Sequence, residues 1–155
     1  MAFGSVILSV ILIAADQWSK YLATTYLMGN GSIVVIPHLL GLRYIQNTGA
    51  AFSILSSCTG FLIAVTSVAL VIMGYMVFFR RFEDAFENFC FLLIFSGGIG
   101  NLIDRVMNGF VVDYFEFLFM DFAIFNVADV YVCVGIGLYA LYTIYTEYLR
   151  KGHVK

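Results

Sequence analysis

The stretch FLLIFSGGIGNLIDR, from Phe91 to Arg105, decides the fold. An apolar run passes through three glycines there and ends on polar residues, with Asn101 three positions ahead of Asp104. Ionisable side chains inside an apolar segment of membrane length are energetically costly, so their default interpretation is functional. The stretch therefore predicts a membrane helix that carries part of a functional site.

A second unit of the same kind lies in FNVAD, from Phe125 to Asp129. Asn126 stands three positions ahead of Asp129 there, at the opening of another apolar run. We expect the two Asn-x-x-Asp units to face each other.

The composition indicates an integral membrane protein. Of the 155 residues, 62% are hydrophobic and only 12% are charged, and the mean hydropathy is +0.95. A soluble domain of this size could carry such a composition only by exposing large apolar patches. The net charge of -2 gives no indication of a nucleic-acid partner, and the three cysteines lack any CxxC spacing that would predict a metal site or a disulfide framework.

Four segments are long and apolar enough to cross a membrane. A spanning helix needs about 20 residues to cross a hydrocarbon core about 30 Å thick, and the segments that qualify are about 4–26, 59–79, 85–106 and 123–148. The first lacks the basic start of a signal peptide and is expected to be a retained span. We expect one four-span domain covering residues 1–155.

The basic residues predict the orientation of these spans. Five of the eight Lys and Arg residues lie between the second and third spans or at the C-terminus, namely Arg80, Arg81, Arg150, Lys151 and Lys155. The positive-inside rule makes that side cytoplasmic, together with both termini.

The two longer connections then lie on the outer side. Residues 27–58 contain short Val/Ile and Leu/Tyr runs broken by Pro37, Gly41 and Gly49, a pattern that favours a small β-rich platform.

The second outer connection, residues 107–122, favours an amphipathic helix in the membrane interface, because Val111, Phe115 and Phe119 recur at four-residue steps. The predicted fold is all-α, with four transmembrane helices, an outer β-rich platform after the first and an interfacial helix between the third and fourth.

Depth along the helices brings three carboxylates to one part of the membrane. Asp104 lies roughly 28 Å along the outward-running third span, and Asp129 lies about 9 Å into the inward-running fourth span. Asp16 belongs to the outer half of the first span.

Two carboxylates held close together in a low-dielectric site share a proton and titrate as a unit. In an aspartic protease one of them activates a water molecule while the other polarises the scissile carbonyl. Asp104 and Asp129 are the predicted pair, and such hydrolysis needs no metal or cofactor.

Other interpretations stay open at this point. Asp104 could pair with Arg105 or Lys20 as a buried ion pair that locks the bundle, although three acids to two bases is more than a lock requires. The acids could form the relay of a small proton-coupled transporter or channel, although the chain shows neither related halves nor proline-broken helices. A structural membrane subunit is a third alternative.

Metal, serine and phosphate-loop chemistry fit the sequence less well. The two histidines, His38 and His153, are predicted on opposite sides and form no HExxH motif. Ser19 and Lys20 are adjacent helix positions, which do not face each other. The glycines at 97, 98 and 100 lie within a membrane helix, where close helix packing explains them better than phosphate binding.

At these residues the sequence resembles the lipoprotein signal peptidases, also called signal peptidase II, which are bacterial membrane enzymes. The resemblance covers essentially the whole chain and is carried by five blocks in order: DQWSK at 16–20, NTGAAF at 47–52, GGIGNLIDR at 97–105, VVD at 111–113 and FNVAD at 125–129.

The resemblance implies an aspartic endopeptidase of the bacterial inner membrane that removes signal peptides from prolipoproteins, cutting on the outer side just before a diacylglyceryl-modified cysteine. It implies that Asp104 and Asp129 are the catalytic pair. It also implies that further residues line or support the site: Asp16, Lys20, Asn47, Gly49, Asn101, Arg105 and Asn126. The expected partners are prolipoprotein substrates and membrane lipids, with no cofactor, nucleic acid or obligate protein partner.

Overall fold

The computed structural model describes residues 2–49, 59–79, 82 and 84–152. The elements run in the order α1 (Ala2–Leu27), β1 (Ser32–Ile36), β2 (Leu40–Asn47), α2 (Thr59–Phe78), α3 (Ala85–Asn108), β3 (Val111–Phe117) and α4 (Val127–Gly152). Each of the four helices is long and apolar enough to cross a membrane, which confirms the four predicted spans. The predicted residues Ala50, Ala51, Phe52, Arg80, Arg81, His153 and Lys155 lie outside the described part of the chain.

The helices expose apolar side chains outward, as expected for a bundle whose solvent is lipid. Val10 on α1 is 60% exposed and Val71 on α2 is 74% exposed. In a bilayer such faces are already in an apolar medium, so helix association depends on close packing and on polar contacts between helices.

Helix α3 lies at the centre of the bundle and packs against the other three helices. Its glycines make these approaches possible, since a Cβ at each position would overlap a different neighbour: Gly97 faces the backbone carbonyl of Ala128 on α4, Gly98 faces the side chain of Leu70 on α2, and Gly100 faces the carboxylate of Asp16 on α1. The structure thus supports the packing interpretation of these glycines.

The three strands form one antiparallel sheet in the order β1-β2-β3. Strand β2 pairs with β3 so that Ile45 lies opposite Asp113 and Asn47 lies opposite Val111. Phe125 extends this edge through a bridge to Phe115. The sheet therefore lies at one end of the bundle, where α1 and α3 end and α4 begins.

The prediction of an interfacial helix between α3 and α4 is wrong, because residues 111–117 form β3. Helix α3 ends at Gly109, which adopts a left-handed conformation with φ 80° and donates its backbone N–H to the carbonyl of Arg105. The four-residue spacing of Val111, Phe115 and Phe119 was the misleading signal. Four residues are close to one helical turn but also make two full periods of a strand, and the β-branched and aromatic content of VVDYFEF favours the strand.

Helix α4 begins at Val127, later than the predicted start near residue 123. Phe125 is still held by β3 through backbone hydrogen bonds with Tyr114 and Phe115, so the chain turns into the helix only at Asn126. This late start places Asp129 in the first turn of α4.

Candidate active site

A buried ionic cluster joins α1 to α3. The ammonium group of Lys20 lies 2.9 Å from Asp16 and 3.2 Å from Asp104, and all three side chains are at most 4% exposed. Gln17 donates to both carboxylates, at 3.2 Å to Asp16 and 3.1 Å to Asp104. A buried charge is costly unless it is paired and hydrogen-bonded. All three charges of this cluster have such partners.

Both acids of this cluster also bind backbone N–H groups at the starts of β3 and α4. Asp104 Oδ2 accepts the N–H of Val112 at 3.0 Å, at the start of β3, and Asp16 Oδ1 accepts the N–H of Ala128 at 2.9 Å, in the first turn of α4. The cluster therefore fixes where the strand and the helix begin, and the oxygens of Asp104 are occupied by Gln17, Lys20 and Val112.

The side chain of Asn101 links this cluster to Asp129. Its carbonyl oxygen accepts from Lys20 at 2.9 Å and from the amide of Asn126 at 3.2 Å. Two donors on this oxygen fix which way the amide points. The NH₂ group of Asn101 therefore faces Asp129 Oδ1, to which it donates at 2.7 Å.

Asn126 and Asp129 form a capping box at the start of α4. The N–H of Asp129 donates to the side chain of Asn126 at 3.0 Å, and the N–H of Asn126 donates back to Asp129 Oδ2 at 3.1 Å. This reciprocal pair satisfies two of the free N–H groups at the helix start. It also holds the carboxylate of Asp129 at the positive end of the helix dipole.

Asp113 on β3 is brought to the same place by the pairing of β3 with β2. Its two oxygens accept the amides of Asn47 at 2.9 Å and of Asn126 at 2.6 Å. Asn126 thus contacts Asp113, Asp129 and Asn101 at once. Asp113 is 2% exposed, and burial raises its pKa to about 6, with the charge of Asp129 raising it further against the lowering effect of Asn47 and Asn126.

A cavity of about 620 Å³ opens beside Asp113 and Asp129, and Asn47, Asn101 and Arg105 also line it. The rest of its wall is mainly apolar, including Val111, Phe117, Phe122, Phe125, Val130, Val132 and Val134. Val130 and Val134 are exposed on the surface of α4, so the cavity opens towards the lipid-facing side of the bundle. Asp16, Lys20 and Asp104 are absent from its lining.

Arg105 lies at the rim of this cavity and contacts no carboxylate within hydrogen-bonding distance among the residues described. Its guanidinium donates to the backbone carbonyls of Gly49, at 2.9 Å, and of Asn101, at 3.4 Å. The N–H of Gly49 in turn donates to Asn47 Oδ1 at 3.0 Å. Arg105 thereby anchors the end of β2 to α3, and its Nε has no partner among these residues.

The structure brings the predicted site residues together in two groups. Asn47, Asn101, Arg105 and Asp129 line the cavity, with Asn126 and Gly49 directly behind them. Asp16, Lys20 and Asp104 form the ionic cluster, and in that cluster Asp104 is paired with Lys20 as the ion-pair alternative expected. Sequence reasoning named Asp113 within the VVD block but omitted it from the site.

Two signals in the sequence could have identified Asp113. The β-branched and aromatic content of VVDYFEF favours a strand, and the β-rich platform that precedes α2 is the predicted partner for such a strand. Asn126 three positions before Asp129 also matches a capping box, which would have moved the start of α4 and placed Asp129 next to that strand. Within the described residues, no group of three His, Cys, Asp or Glu side chains could hold a metal ion.

Comparison with known proteins gives a consistent result. The model of the family described as "Signal peptidase (SPase) II" matches residues 8–145. A lipoprotein signal peptidase of Caldanaerobacter subterraneus subsp. tengcongensis is 41% identical over 131 residues, which cover 84% of this chain and 89% of that protein. Another, of Symbiobacterium thermophilum, is 37% identical over 152 residues, covering 96% and 97%.

Solved structures agree with the sequence relatives. A bacterial membrane enzyme solved at 2.3 Å by the in meso method superposes with a TM-score of 0.83 at 34% identity, covering 93% of this chain and 89% of the other. A second bacterial membrane enzyme, solved by the same method at 1.9 Å, superposes with a TM-score of 0.82 at 32% identity, covering 92% and 94%.

Proposed function

The chain belongs to the signal peptidase II family, whose members remove signal peptides from prolipoproteins, and from this premise we propose that it is an aspartic endopeptidase whose catalytic pair is Asp113 and Asp129. The observation that carries the proposal is the cavity wall. Asp113 and Asp129 both lie on it, joined through the side chain of Asn126.

The environments of the two carboxyl groups suggest their roles. Burial raises the pKa of Asp113 to about 6, so up to about pH 6 it holds a proton that it can donate. Asp129 accepts N–H groups from Asn101 and Asn126 at a helix start, where negative charge is stabilised. Titratable groups whose environments differ in this way divide into an acid and a base.

The proposed reaction needs only the pair and one water molecule. Asp129 takes a proton from the water as its oxygen attacks the scissile carbonyl carbon, while Asp113 protonates the carbonyl oxygen. The tetrahedral intermediate then collapses. Its C–N bond breaks, the amine of the released chain takes the proton held by Asp129, and a hydroxyl proton returns to Asp113, so both carboxyl groups regain their initial states.

This assignment replaces Asp104 as a member of the pair. Asp104 is held by Lys20, Gln17 and the N–H of Val112, and it is not part of the cavity lining. We propose that Asp16, Lys20 and Asp104 are positioning residues that act through the ends of β3 and α4 and through Asn101. Asn101 and Asn126 orient the pair, while Asn47, Gly49 and Arg105 shape the cavity mouth.

The cavity wall also suggests how a lipid-modified substrate is held. We propose that the acyl chains of a diacylglyceryl-cysteine and the apolar signal peptide enter from the membrane between α2 and α4, where Val130 and Val134 are exposed. The scissile bond, just before the modified cysteine, then lies against Asp113 and Asp129. In this proposal the termini are cytoplasmic and the pair lies towards the outer face of a bacterial inner membrane.

The test is cleavage of a synthetic prolipoprotein peptide by the purified protein in detergent or liposomes, with and without diacylglyceryl on the cysteine. Asp113→Asn and Asp129→Asn should each abolish cleavage without unfolding the protein, while Glu87→Gln, in the first turn of α3 at the far end of the bundle, should cleave normally. Cleavage by folded Asp113→Asn protein would overturn the assignment. Proton or ion flux through liposomes without any proteolysis would instead favour the transporter alternative.

A further inference from the structure

A second cavity, of about 390 Å³, adjoins the first at Asp113. It is lined by Arg43, Ile45, Asn47, Asp113, Asp121, Phe122, Ala123 and Ile124. Asn47, Asp113 and residues 122–124 line both cavities. Whatever reaches the catalytic pair through the apolar cavity can therefore continue into the second one.

The floor of the second cavity is formed by β2. Arg43, Ile45 and Asn47 all line this cavity, although an irregularity between Leu42 and Ile45 interrupts the pairing of β2 with β3. From Asn47 to Arg43 this stretch extends about 13 Å. An extended polypeptide that starts at the catalytic pair would pass Ile45 and reach Arg43 within about four residues.

The charge of this cavity is unbalanced. Arg43 is paired with Glu116 at 3.3 Å, and Glu116 also accepts from Ser32. Asp121, on the opposite wall, is exposed, and the part of the chain that the structure describes gives it no ion pair or hydrogen bond. Asp121 thus adds an unpaired negative charge to this cavity, which the carboxyl group of Asp113 also lines.

The two cavities differ in polarity, and so do the two parts of the proposed substrate. The signal peptide and the lipid are apolar and remain with the membrane, whereas the chain that follows the cysteine leaves towards water. The 620 Å³ cavity is mainly apolar, and the 390 Å³ cavity carries Arg43 and Asp121 at its rim.

We propose that the second cavity is a subsite for the second to fourth residues of the released chain, counted from the modified cysteine, and that Asp121 makes it prefer a basic side chain there. This inference rests on the proposed function, because it needs a substrate cleaved at Asp113 and Asp129. Arg43, neutralised by Glu116, limits the strength of the preference rather than reversing it.

The experiment measures kcat/KM for a set of lipid-modified peptides whose residues two to four are alanine, with a single Lys or Glu placed in turn at each position. An exposed ion pair corresponds to about a two- to fivefold effect, so at one position at least the Lys peptide should be cleaved about two- to fivefold better than the Glu peptide. The ratio should shrink when the ionic strength rises from about 0.05 to 0.5 M, because the contact is screened.

Two variants shift the ratio in opposite directions. Asp121→Asn keeps the shape of the side chain and should bring the Lys/Glu ratio close to one, whereas Arg43→Gln releases Glu116 and should raise the ratio. Glu87→Gln removes a distant charge and should leave the ratio unchanged. If no peptide is cleaved, the proposed function itself is refuted. If the peptides are cleaved but the Lys/Glu ratio of kcat/KM is near one at all three positions, only the subsite is refuted. The subsite is also refuted if Asp121→Asn leaves that ratio unchanged.

Discussion

Asp104 lies outside the proposed catalytic pair, so its replacement by asparagine should have a different effect from that of Asp113. Asp104 accepts from Lys20 and the N–H of Val112 on one oxygen and from Gln17 on the other. An asparagine offers one oxygen, and its NH₂ group must then face a donor. A hydrogen bond to a charged group contributes about 1.5–3 kcal/mol, so with the weakened contact to Lys20 we expect Asp104→Asn to destabilise the protein by about 2–4 kcal/mol.

For Asp113→Asn, two contributions to the free energy of unfolding oppose each other. One of the two amide hydrogen bonds, to Asn47 or Asn126, is lost, at a cost of about 1.5–3 kcal/mol. The buried charge is lost as well. The pKa of Asp113 is raised from 3.8 to about 6, and a rise of about 2 units means that above pH 6 ionised Asp113 lowers the free energy of unfolding by about 3 kcal/mol. The two effects nearly cancel, so stability should change little while cleavage falls by about 10²–10⁴-fold.

The assay pairs thermal unfolding in detergent at pH 7 with initial rates of cleavage of a lipid-modified peptide. Asp104→Asn should melt earlier and retain measurable cleavage at temperatures where it is still folded. Asp113→Asn should melt close to the unmodified protein and fail to cleave. The reasoning is refuted if Asp104→Asn melts normally with no cleavage while Asp113→Asn still cleaves, because Asp104 would then be the acid.

Three further predictions concern protonation, helix packing and metals. Asp113 holds its proton below about pH 6 and loses it above. Since the proposed mechanism requires that proton, kcat/KM should fall as pH rises through about 6. A flat profile from pH 5 to 8 would contradict the role of Asp113 as the acid. Gly97→Ala places a Cβ against the backbone carbonyl of Ala128 and should lower both the melting temperature and activity, whereas the control Gly137→Ala, also in a membrane helix, meets no atom within 4 Å and should do neither. A carboxylate pair activates water without a metal, so dialysis against EDTA should leave the rate unchanged, and restoration of a lost rate by added zinc would count against the pair.

The spans could be predicted from the sequence because membrane crossing depends on two local quantities, length and hydropathy. About 20 apolar residues suffice to predict each helix, and the glycines of α3 indicated close packing without knowledge of its partners. The contacts that those glycines make, with Leu70, Ala128 and Asp16, depend on three other helices and could not be read from α3 alone.

Asp113 was left out of the predicted site because its position depends on pairing between distant strands. Asp113 reaches Asp129 only because β3 pairs with β2 across more than 60 residues, with Ile45 opposite Asp113. Counting depth along helices compares only residues that lie on helices, so it selected Asp104 and left out an acid on a strand. One error of period, four residues interpreted as a helical turn, thus left Asp113 out of the predicted site.

The placement of the pair at the end of the bundle follows from what each element can supply there. A helix inside a bilayer uses its own backbone groups, but its first turn has free N–H groups, and here Asn126, Asp129 and Asp16 bind them. An acid held in that turn by such bonds is fixed in position at the positive end of the helix dipole. The second acid of the proposed pair requires a different environment, one dry enough to raise its pKa, and the buried part of β3 provides it for Asp113. Asn126 contacts both acids, since its side chain donates to Asp113 and its backbone N–H donates to Asp129. In the proposed pair, a helix start and a largely buried strand therefore each supply one carboxyl group.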